Sequence, residues 1–567
     1  MRFLPASDRA LLVELDDLTQ TMALYRQCLA EPMAGVQALV PAARTLLVQY
    51  QPWVLSAAAL RQHALAQRAQ TAWRALDKAQ RSGGRVVDIP VHYTGEDLPD
   101  VAEILGISVQ EVVARHTGQP YDAAFAGFAP GFVYLSGGAN FQVPRRATPR
   151  TQVPAGSVAL GGGFSAVYPK ASPGGWQLLG VTELAMWDLA RAEPALIQPG
   201  FQVQFVDAAR STTQVLMPRH PAAVAMAEVE TVDGEAVQLQ SKIALALSMP
   251  SQAAIEFKSV GLQTLFQDRG RHGMEGLGVS ASGALDQAAM RQANRMVGNP
   301  VHTPVLENLL GQLCMRAHGA CTVAIAGADV ALHLQTAAGS VQPIPCGQAV
   351  ALNDGDGLTL GAVKAGMRCY VAVRGGWGVE PVLGSCATDT LAQVGPAALQ
   401  PGQRVPVGQM VSAAALQAVS EQHEPLPGLP RAGDTVTLDV VLGPRTDWFS
   451  AQGVATLTGQ TWVVTPQSNR IGIRLQGAQP LARSVHGELP SEGTVLGAIQ
   501  VPISGQPVLF LADHPLTGGY PVIAALASYH LDLAAQIPVG CQIQFKVVAD
   551  FDSQHSSDAD AANVLPS

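Results

Sequence analysis

Asp513 and His514 stand just before the turn "LTGGY" at 516–520. A carboxylate at a strand end beside a glycine-rich turn is a candidate general base or metal contact, and a histidine titrates near neutral pH. His116 and Glu492 are the other acid–base candidates; Glu492 lies in "PSEGTVLGAIQVP", close to Gln500. Cations gather in two places. Arg145, Arg146 and Arg150 precede Ser157, Gly161 and Gly162, while Arg470 and Arg474 follow Gln467 and Ser468. Guanidinium groups suit bidentate binding of carboxylate or phosphate, and N–H groups of a glycine-rich turn can hold an anion. The alternation at 470, 472 and 474 expects both arginines on one face of a strand.

Three further pairings carry polar chemistry. Asp268 and Arg271 in "QDRGR" read as a turn-fixing ion pair or as pocket groups. In "SASGALD", Ser282 and Asp286 flank a helix start, with Ser282 expected as its N-cap. Asn294 follows Asp286 by two turns, so the two are expected on one helix face. Thr517, Gly518, Gly519 and Tyr520 are the turn's own binding candidates, and Tyr134, Tyr168 and Trp176 are expected to shape walls. The sequence has no GxxxxGK[ST], HExxH, GxSxG or EF-hand pattern, and its 13 histidines do not fall at metal-ligand spacings, so no metal site is expected.

These groups need a scaffold. With 567 residues, 48% apolar and 14% charged, the chain reads as three or four well-cored domains. Its 56 glycines and 39 prolines favour short strands and many turns, hence an α+β, β-rich fold. A net charge of −9 without a basic run argues against a nucleic-acid surface. No run of 18 apolar residues suggests a membrane span, the start does not read as a signal peptide, and seven scattered cysteines suit a reduced, cytoplasmic protein.

Strands are expected at 10–15, 45–50, 85–93 and 197–207, and helices at 17–30, 55–82 and 181–193. Residues 97–118 read as two short helices with "GI" between them. The domains expected are a small α+β unit at 1–120, a β unit at 121–208, a linker at 209–253, further β units at 254–430 and 431–550, and a disordered tail at 551–567.

An internal repeat links the halves. "IQPGFQVQF" (197–205) matches "IPVGCQIQF" (537–545), and a Gly-Gly-aromatic turn precedes each, as "PGGWQLLG" (173–180) and "LTGGYPVI" (516–523). Further upstream, "GSVALGG" (156–162) resembles "GTVLGAI" (493–499). Both halves are therefore expected to end in the same β domain.

Three stretches carry a family resemblance: 127–180, "LFQDRGRHGMEGLGVSASGALDQAAMRQANRMVGNP" (265–300), and 465–521. They resemble the paired proteins called the B and C subunits of 5-oxoprolinase, formerly the two subunits of allophanate hydrolase. They are also similar to the kinase-inhibitor pair of sporulating bacteria and to the carboxyltransferase part of urea carboxylase. The resemblance covers about 1–208 for the B type and 254–548 for the C type, fused here. It implies cyclophilin-like β-barrels, one after the small α+β unit and a duplicated pair in the second half.

The resemblance also implies ATP- and Mg²⁺-dependent opening of 5-oxo-L-proline, or a related cyclic amide, to L-glutamate, together with a separate partner, the 5-oxoprolinase A subunit. The alternatives are a carboxyltransferase acting on urea or an amide with biotin-carrying partners, and a non-enzymatic inhibitor of a sensor kinase. Homo-oligomer formation is left open. The sequence departs from the family pattern at Leu516, in "TLFQD", and at Gly163 and Phe164.

Overall fold

A computed structural model describes residues 1–69, 85–138, 141–146, 148–210, 253–411 and 428–549, with the single positions 413, 416, 554 and 555. Apart from these positions, the expected linker, the tail and the far end of the 55–82 helix lie outside the described residues.

The first unit packs strands β1 (Arg2–Ser7), β2 (Ala10–Glu14), β3 (Val36–Pro41) and β4 (Thr45–Tyr50) in the order β3-β4-β2-β1. Helix Leu18–Ala30 covers one face; Asp17 caps its start by accepting from Gln20 N, satisfying an otherwise orphan amide. The opposite face, with Leu4, Leu12, Val40 and Leu47, packs on Phe510, Leu516 and Val522 of the chain's far end. N- and C-terminal parts thus share one apolar core.

The next unit is a barrel. Its strands are β5 (Val86–Val91), β6 (Tyr121–Ala126), β7 (Val133–Gly137), β8 (Arg150–Val153), β9 (Ser157–Gly161), β10 (Phe164–Val167), β11 (Ser172–Gly174), β12 (Gln177–Val181) and β13 (Gln202–Asp207). Seven run in the order β12-β9-β10-β7-β6-β13-β5, and the paired His92–Val181 backbone bonds of 2.9 and 3.0 Å close the circle. β8 and β11 form a separate two-stranded ribbon.

Helices Leu98–Leu105 and Val109–Thr117 sit where two were expected, separated by Gly106 in the left-handed region at φ 65 and by Ser108, the second N-cap. Their Leu98, Val101 and Val112 pack on Val143, Leu160 and Leu179 of the barrel. β5 pairs in parallel with β13, so Val86–Val91 belongs to this barrel's sheet. The helix expected at 181–193 is absent. Those residues form bends and turns held by an isolated Trp187–Ala195 bridge, so pairing overrode the helical spacing.

Residues 254–406 build a nine-stranded sheet from β14 (Ala254–Val260), β15 (Gln263–Gln267), β16 (Val305–Leu309), β17 (Leu313–His318), β18 (Cys321–Gln335), β19 (Val341–Ile344), β20 (Ala349–Leu352), β21 (Gly357–Val373) and β22 (Arg404–Pro406). Helix Gln287–Val297 packs Met290, Ala293 and Val297 against Ala324, Tyr370 and Ala372 of its long strands.

The last unit is a closed barrel. Its elements are β23 (Thr435–Leu442), β24 (Trp462–Val464), β25 (Gly472–Gln476), β26 (Glu492–Gly493), β27 (Ala498–Gln500), β28 (Val508–Phe510), β29 (Thr517–Gly518), β30 (Val522–Leu526) and β31 (Gln542–Ala549). The barrel order is β23-β30-β27-β28-β25-β24-β31, with β26–β29 as a ribbon. β32 (Gln554–His555) returns to pair with β1.

Strand for strand this repeats the first barrel. β31 runs parallel to β23 with Gln542 opposite Thr435, as β13 runs parallel to β5 with Gln202 opposite Val86. Each Gly-Gly-aromatic turn leads from its ribbon into the equivalent strand, β12 or β30. The third element of the repeat falls in a different register from the one expected. Leu178 faces Ala159 and its counterpart Val522 faces Gln500, so "GSVAL" matches "GAIQV" at 497–501, four residues later than "GTVLG". The paired glycines confirm the alignment, since Gly156 and Gly497 share positive φ values of 78 and 84.

Among the described residues, no helix is long and apolar enough to cross a membrane.

Candidate active site

One strip of sequence, Asp513 to Tyr520, threads the places where the last barrel meets the nine-stranded unit and the first barrel. Asp513 starts it, buried beneath the surface. Its carboxylate accepts from Ser282 Oγ at 2.6 Å, from Thr390 N and Oγ1 at 2.8 and 2.7 Å, and from Arg470 Nε and Nη2 at 3.0 Å each. Arg470 also donates to Glu307 and to the Gly283 carbonyl. Burial opposes the arginine's charge, but Asp513 and Glu307 more than offset it and hold its pKa above the usual range. Glu307 in turn accepts from Leu285 N and Tyr370 OH at 3.0 and 2.9 Å. This ionic core joins the nine-stranded unit to the last barrel, with every carboxylate oxygen engaged.

Several candidates belong to this core. Ser282 is four residues short of the helix; its φ is 54 and its hydroxyl serves Asp513, while Asp286 is the N-cap and accepts from Ala289 N at 2.8 Å. Asp286 also accepts from Gln536 Nε2 of the last barrel at 2.8 Å, and burial, then Asp532, pushes its carboxyl up to about 6. Asn294 has other partners. Its amide bonds Thr303 O and Asn299, which anchors the loop after the helix. Asp268 and Arg271 clamp the 382–387 loop: Asp268 accepts from Ser385 Oγ and Cys386 N, and Arg271 donates to the Val382 and Ala387 carbonyls. Arg470 and Arg474 do not share a face. Arg470 precedes β25 and is buried, whereas Arg474 lies within the strand and is exposed. Gln467 is exposed, and Ser468 Oγ accepts from Arg474 N at 3.0 Å within the same turn.

Residues 514–516 line a small cavity of about 10 Å³, room for about one water, at the meeting point of three units. Phe128 and Pro130 of the first barrel close one side, and Ser280, Asp389 and Leu391 of the nine-stranded unit form the other. Phe128 holds a left-handed φ of 63, a costly conformation for an aromatic residue and one that clusters at functional sites. Asp389 accepts from Ser280 Oγ at 2.7 Å and from Leu391 N and Ala392 N at 2.9 and 2.7 Å. Burial, then the nearby Asp513 charge, pushes its carboxyl up to about 6. His514 Nδ1 lies 2.9 Å from the Pro515 carbonyl, which only accepts, so Nδ1 carries the proton and Nε2 is left as an acceptor. Burial lowers the His514 pKa, keeping the ring neutral. From the first barrel, Lys170 Nζ donates to the Leu391 carbonyl, and burial lowers its pKa. Asp389, Ser280 and Lys170 escaped notice in the sequence: "ATDTLAQ" and "YPKASP" match no motif, and only tertiary burial marks them.

At Thr517 to Gly519 the two barrels touch. Tyr134 OH lies 3.3 Å from Thr517 Oγ1 and accepts from Ser491 Oγ at 3.1 Å. Arg145 donates to Ser491 Oγ at 3.1 Å and its Nε lies 2.8 Å from Glu488. Gln500 Nε2 holds the turn through the Tyr520 carbonyl at 3.2 Å, packed so closely under Gly518 that a Cβ there would lie 2.6 Å away. Arg483 stacks over Tyr520 with 5.9 Å to the ring centroid.

The remaining candidates sit elsewhere. His116 is sealed in the first barrel, with Nδ1 2.7 Å from Tyr93 OH, Nε2 3.1 Å from Ser165 Oγ and the ring stacked on Phe205. Burial pulls its pKa down to about 3, so it is a neutral core group. Glu492 is paired with Arg445, whose Nε lies 3.0 and 2.9 Å from its oxygens. The first barrel carries the equivalent ribbon pair with reversed polarity: Arg146 and Arg150 both bind Asp97, at 2.6 to 2.9 Å. Those two arginines are therefore neutralised rather than poised for a phosphate. Ser157, Gly161 and Gly162 lie along β9 and the turn after it, and a Cβ on Gly161 would run 2.5 Å from Trp176. Among the described residues, no group of three or more His, Cys, Asp or Glu side chains could hold a metal ion.

The chain matches two family models. Residues 1–197 match the carboxyltransferase domain, subdomain C and D, and residues 277–547 match subdomain A and B. It is 36% identical over 288 residues to the 5-oxoprolinase C subunit of Escherichia coli (strain K12), covering 50% of this chain and 88% of that protein. It is 44% identical over 146 residues to the 5-oxoprolinase B subunit of Haemophilus influenzae, covering 25% of this chain and 68% of that protein. The urea amidolyase of Lachancea kluyveri is 33% identical over 311 residues, 52% of this chain but 17% of that protein. Among solved structures, the protein designated TTHA0988 superposes with a TM-score of 0.73 at 30% identity, covering 95% of this chain and 100% of that one.

Proposed function

The chain belongs to the carboxyltransferase-domain family of the 5-oxoprolinase B and C subunits, carried here on one polypeptide, and on that premise we propose that it is the B–C component of an ATP-dependent 5-oxoprolinase. It acts with a separate A component and opens 5-oxo-L-proline, or a related cyclic amide, to L-glutamate. One observation carries the reading: the junction pocket takes walls from the B-like part, at Phe128 and Pro130, and from the C-like part, at Ser280, Asp389 and His514.

Among the described residues, the arginine candidates for a nucleotide site are already engaged. Arg146 and Arg150 are paired with Asp97, Arg470 with Asp513 and Glu307, and Arg145 with Glu488. The ATP-dependent step is therefore assigned to the complex with the A component. Beside the pocket, Tyr134, Ser491 and Thr517 gather hydroxyl groups where the two barrels meet, and Phe128 offers the pocket an apolar wall.

A second reading, transfer of a carboxyl group, rests on the description of the two family models and on the urea amidolyase relative. Genetic complementation separates the two. In a bacterium that retains the A component but lacks B and C, the chain restores growth on 5-oxoproline as sole nitrogen source. Failure to restore growth, with the chain expressed and bound to the A component, contradicts the proposal.

A further inference from the structure

One end of the nine-stranded unit gathers cations that have no carboxylate partner among the described residues. Helix Gln287–Val297 carries Arg291 and Arg295, four residues apart and so on one face, and neither is buried. Arg374 follows β21, and its Nε donates to the Val297 carbonyl at 3.0 Å. His302 is exposed on the loop after the helix, which Asn294 holds through the Thr303 carbonyl. Arg269 is exposed on the segment after β15, where a Cβ on Gly283 would lie 2.9 Å from its carbonyl carbon. Burial, then Arg269 and Arg291, lowers the His302 pKa, so both guanidinium groups act on that ring.

The contrast with the other arginines is one of pairing. The chain has a net charge of −9, and Arg145, Arg146, Arg150, Arg445 and Arg470 are each bound to a carboxylate. Among the described residues, Arg269, Arg291, Arg295 and Arg374 are not. Asp268, the carboxylate that acts on His302, is buried and already accepts from Gly270 N, Ser385 Oγ and Cys386 N. Arg295 and Arg374 complement the C-terminal end of the helix, where cations are favoured. Arg269 and Arg291 have no such duty. Like charges side by side repel, and an anionic surface laid across them removes that repulsion.

We propose that this cationic face is the docking surface for the A component, and that the part of the A component seated on it is rich in carboxylates. The inference rests on the 5-oxoprolinase reading. The segment that starts at Arg269 continues to Leu277, whose carbonyl accepts from Gly131 N of the first barrel at 3.2 Å. A partner on this face therefore stands beside the seam between the B-like and C-like parts. Charges at such an interface act mainly on the association rate, by steering the encounter.

The test measures association of the purified full chain with the A component. Arg269→Glu/Arg291→Glu is expected to slow association by about tenfold or more at low salt, with dissociation changed much less. Near 1 M salt, where the Debye length is about 3 Å, most of that difference should vanish. Arg316→Glu/Lys364→Glu makes the same change in net charge at exposed positions farther along the sheet, Arg316 facing Gly357 at the opposite end of β21 from Arg374. That control should alter the rate by less than about twofold. Arg269→Gln/Arg291→Gln, which removes the charge without reversing it, should fall between the wild type and the Glu pair, with thermal melts matching the wild type. Equal rates for the wild type and the Arg269→Glu/Arg291→Glu variant, or equal slowing by the control pair, overturns the proposal alone. A wild-type chain that does not associate with the A component overturns the functional reading, and this proposal with it.

Discussion

Arg145 of the first barrel lies against Gly519 of the last, so close that a Cβ at residue 519 would overlap its Nη1. The second glycine of "LTGGY" is thereby explained by an approach from the other half of the chain rather than by a turn alone. Gly127 makes the reciprocal approach, where a Cβ would lie 2.5 Å from Thr517 Oγ1.

Gly519→Ala is expected to fold, because the end of a long arginine side chain can move. It should still displace Arg145 from Ser491 and lower kcat/KM by roughly tenfold or more, a loss of about 1.4 kcal/mol in transition-state binding. Gly127→Ala meets the whole Thr517 side chain and should cost stability as well. Adding Arg145→Ala to Gly519→Ala should cause little further loss, because the two act through one contact. Additive losses would show that they act separately.

The Arg470–Asp513–Glu307 cluster predicts a steep stability cost. Arg470→Met leaves buried Asp513 without its paired cation and leaves Glu307 only Arg368, 3.6 Å away, and should destabilise the chain by about 3–5 kcal/mol. Arg470→Lys should recover little, since one ammonium cannot reproduce the donations to Asp513, Glu307 and the Gly283 carbonyl. Denaturant unfolding measures both. A loss under about 1 kcal/mol for Arg470→Met would mean that the cluster is not what joins the two units.

His116 predicts a pH dependence. Its folded pKa, about 3, lies below the ordinary histidine value of 6.5, so the unfolded chain binds the extra proton first. Stability from this group is therefore complete above about 6.5 and is lost as pH falls from there toward 3, by about 2 kcal/mol at pH 5. Thermal melts of the wild type and His116→Gln should converge as the pH is lowered through this window. A gap that stays constant would show that His116 does not titrate with unfolding.

Much of this was legible in the sequence where the signal was local. The strands at 10–15 and 45–50, the two helices either side of Gly106 and the closing strands of both barrels follow from alternation, caps and a nine-residue repeat. The candidates Asp268, Arg271, Ser282, Asp286, Arg470 and Asp513 were recognisable by residue type, and all of them are buried. Their partners were not legible. Ser282 meets Asp513 across 231 positions, and Glu307 was not singled out at all. The match between the β9 and β27 strands fell out of register because two glycine-led segments start four residues apart at 493 and 497, and only pairing with Val522 chooses between them. Asp389 is the clearest loss: its chemistry comes from burial between three units, which no spacing within "ATDTL" encodes.

The central claim is best tested by mixing the purified chain with a homologue of the 5-oxoprolinase A component, ATP, Mg²⁺ and 5-oxo-L-proline, and measuring ADP and glutamate together, with urea as a parallel substrate. The account predicts ADP and glutamate released in step, only when both proteins and 5-oxoproline are present. No 5-oxoproline-dependent ADP, or ADP release driven by urea instead, would contradict it.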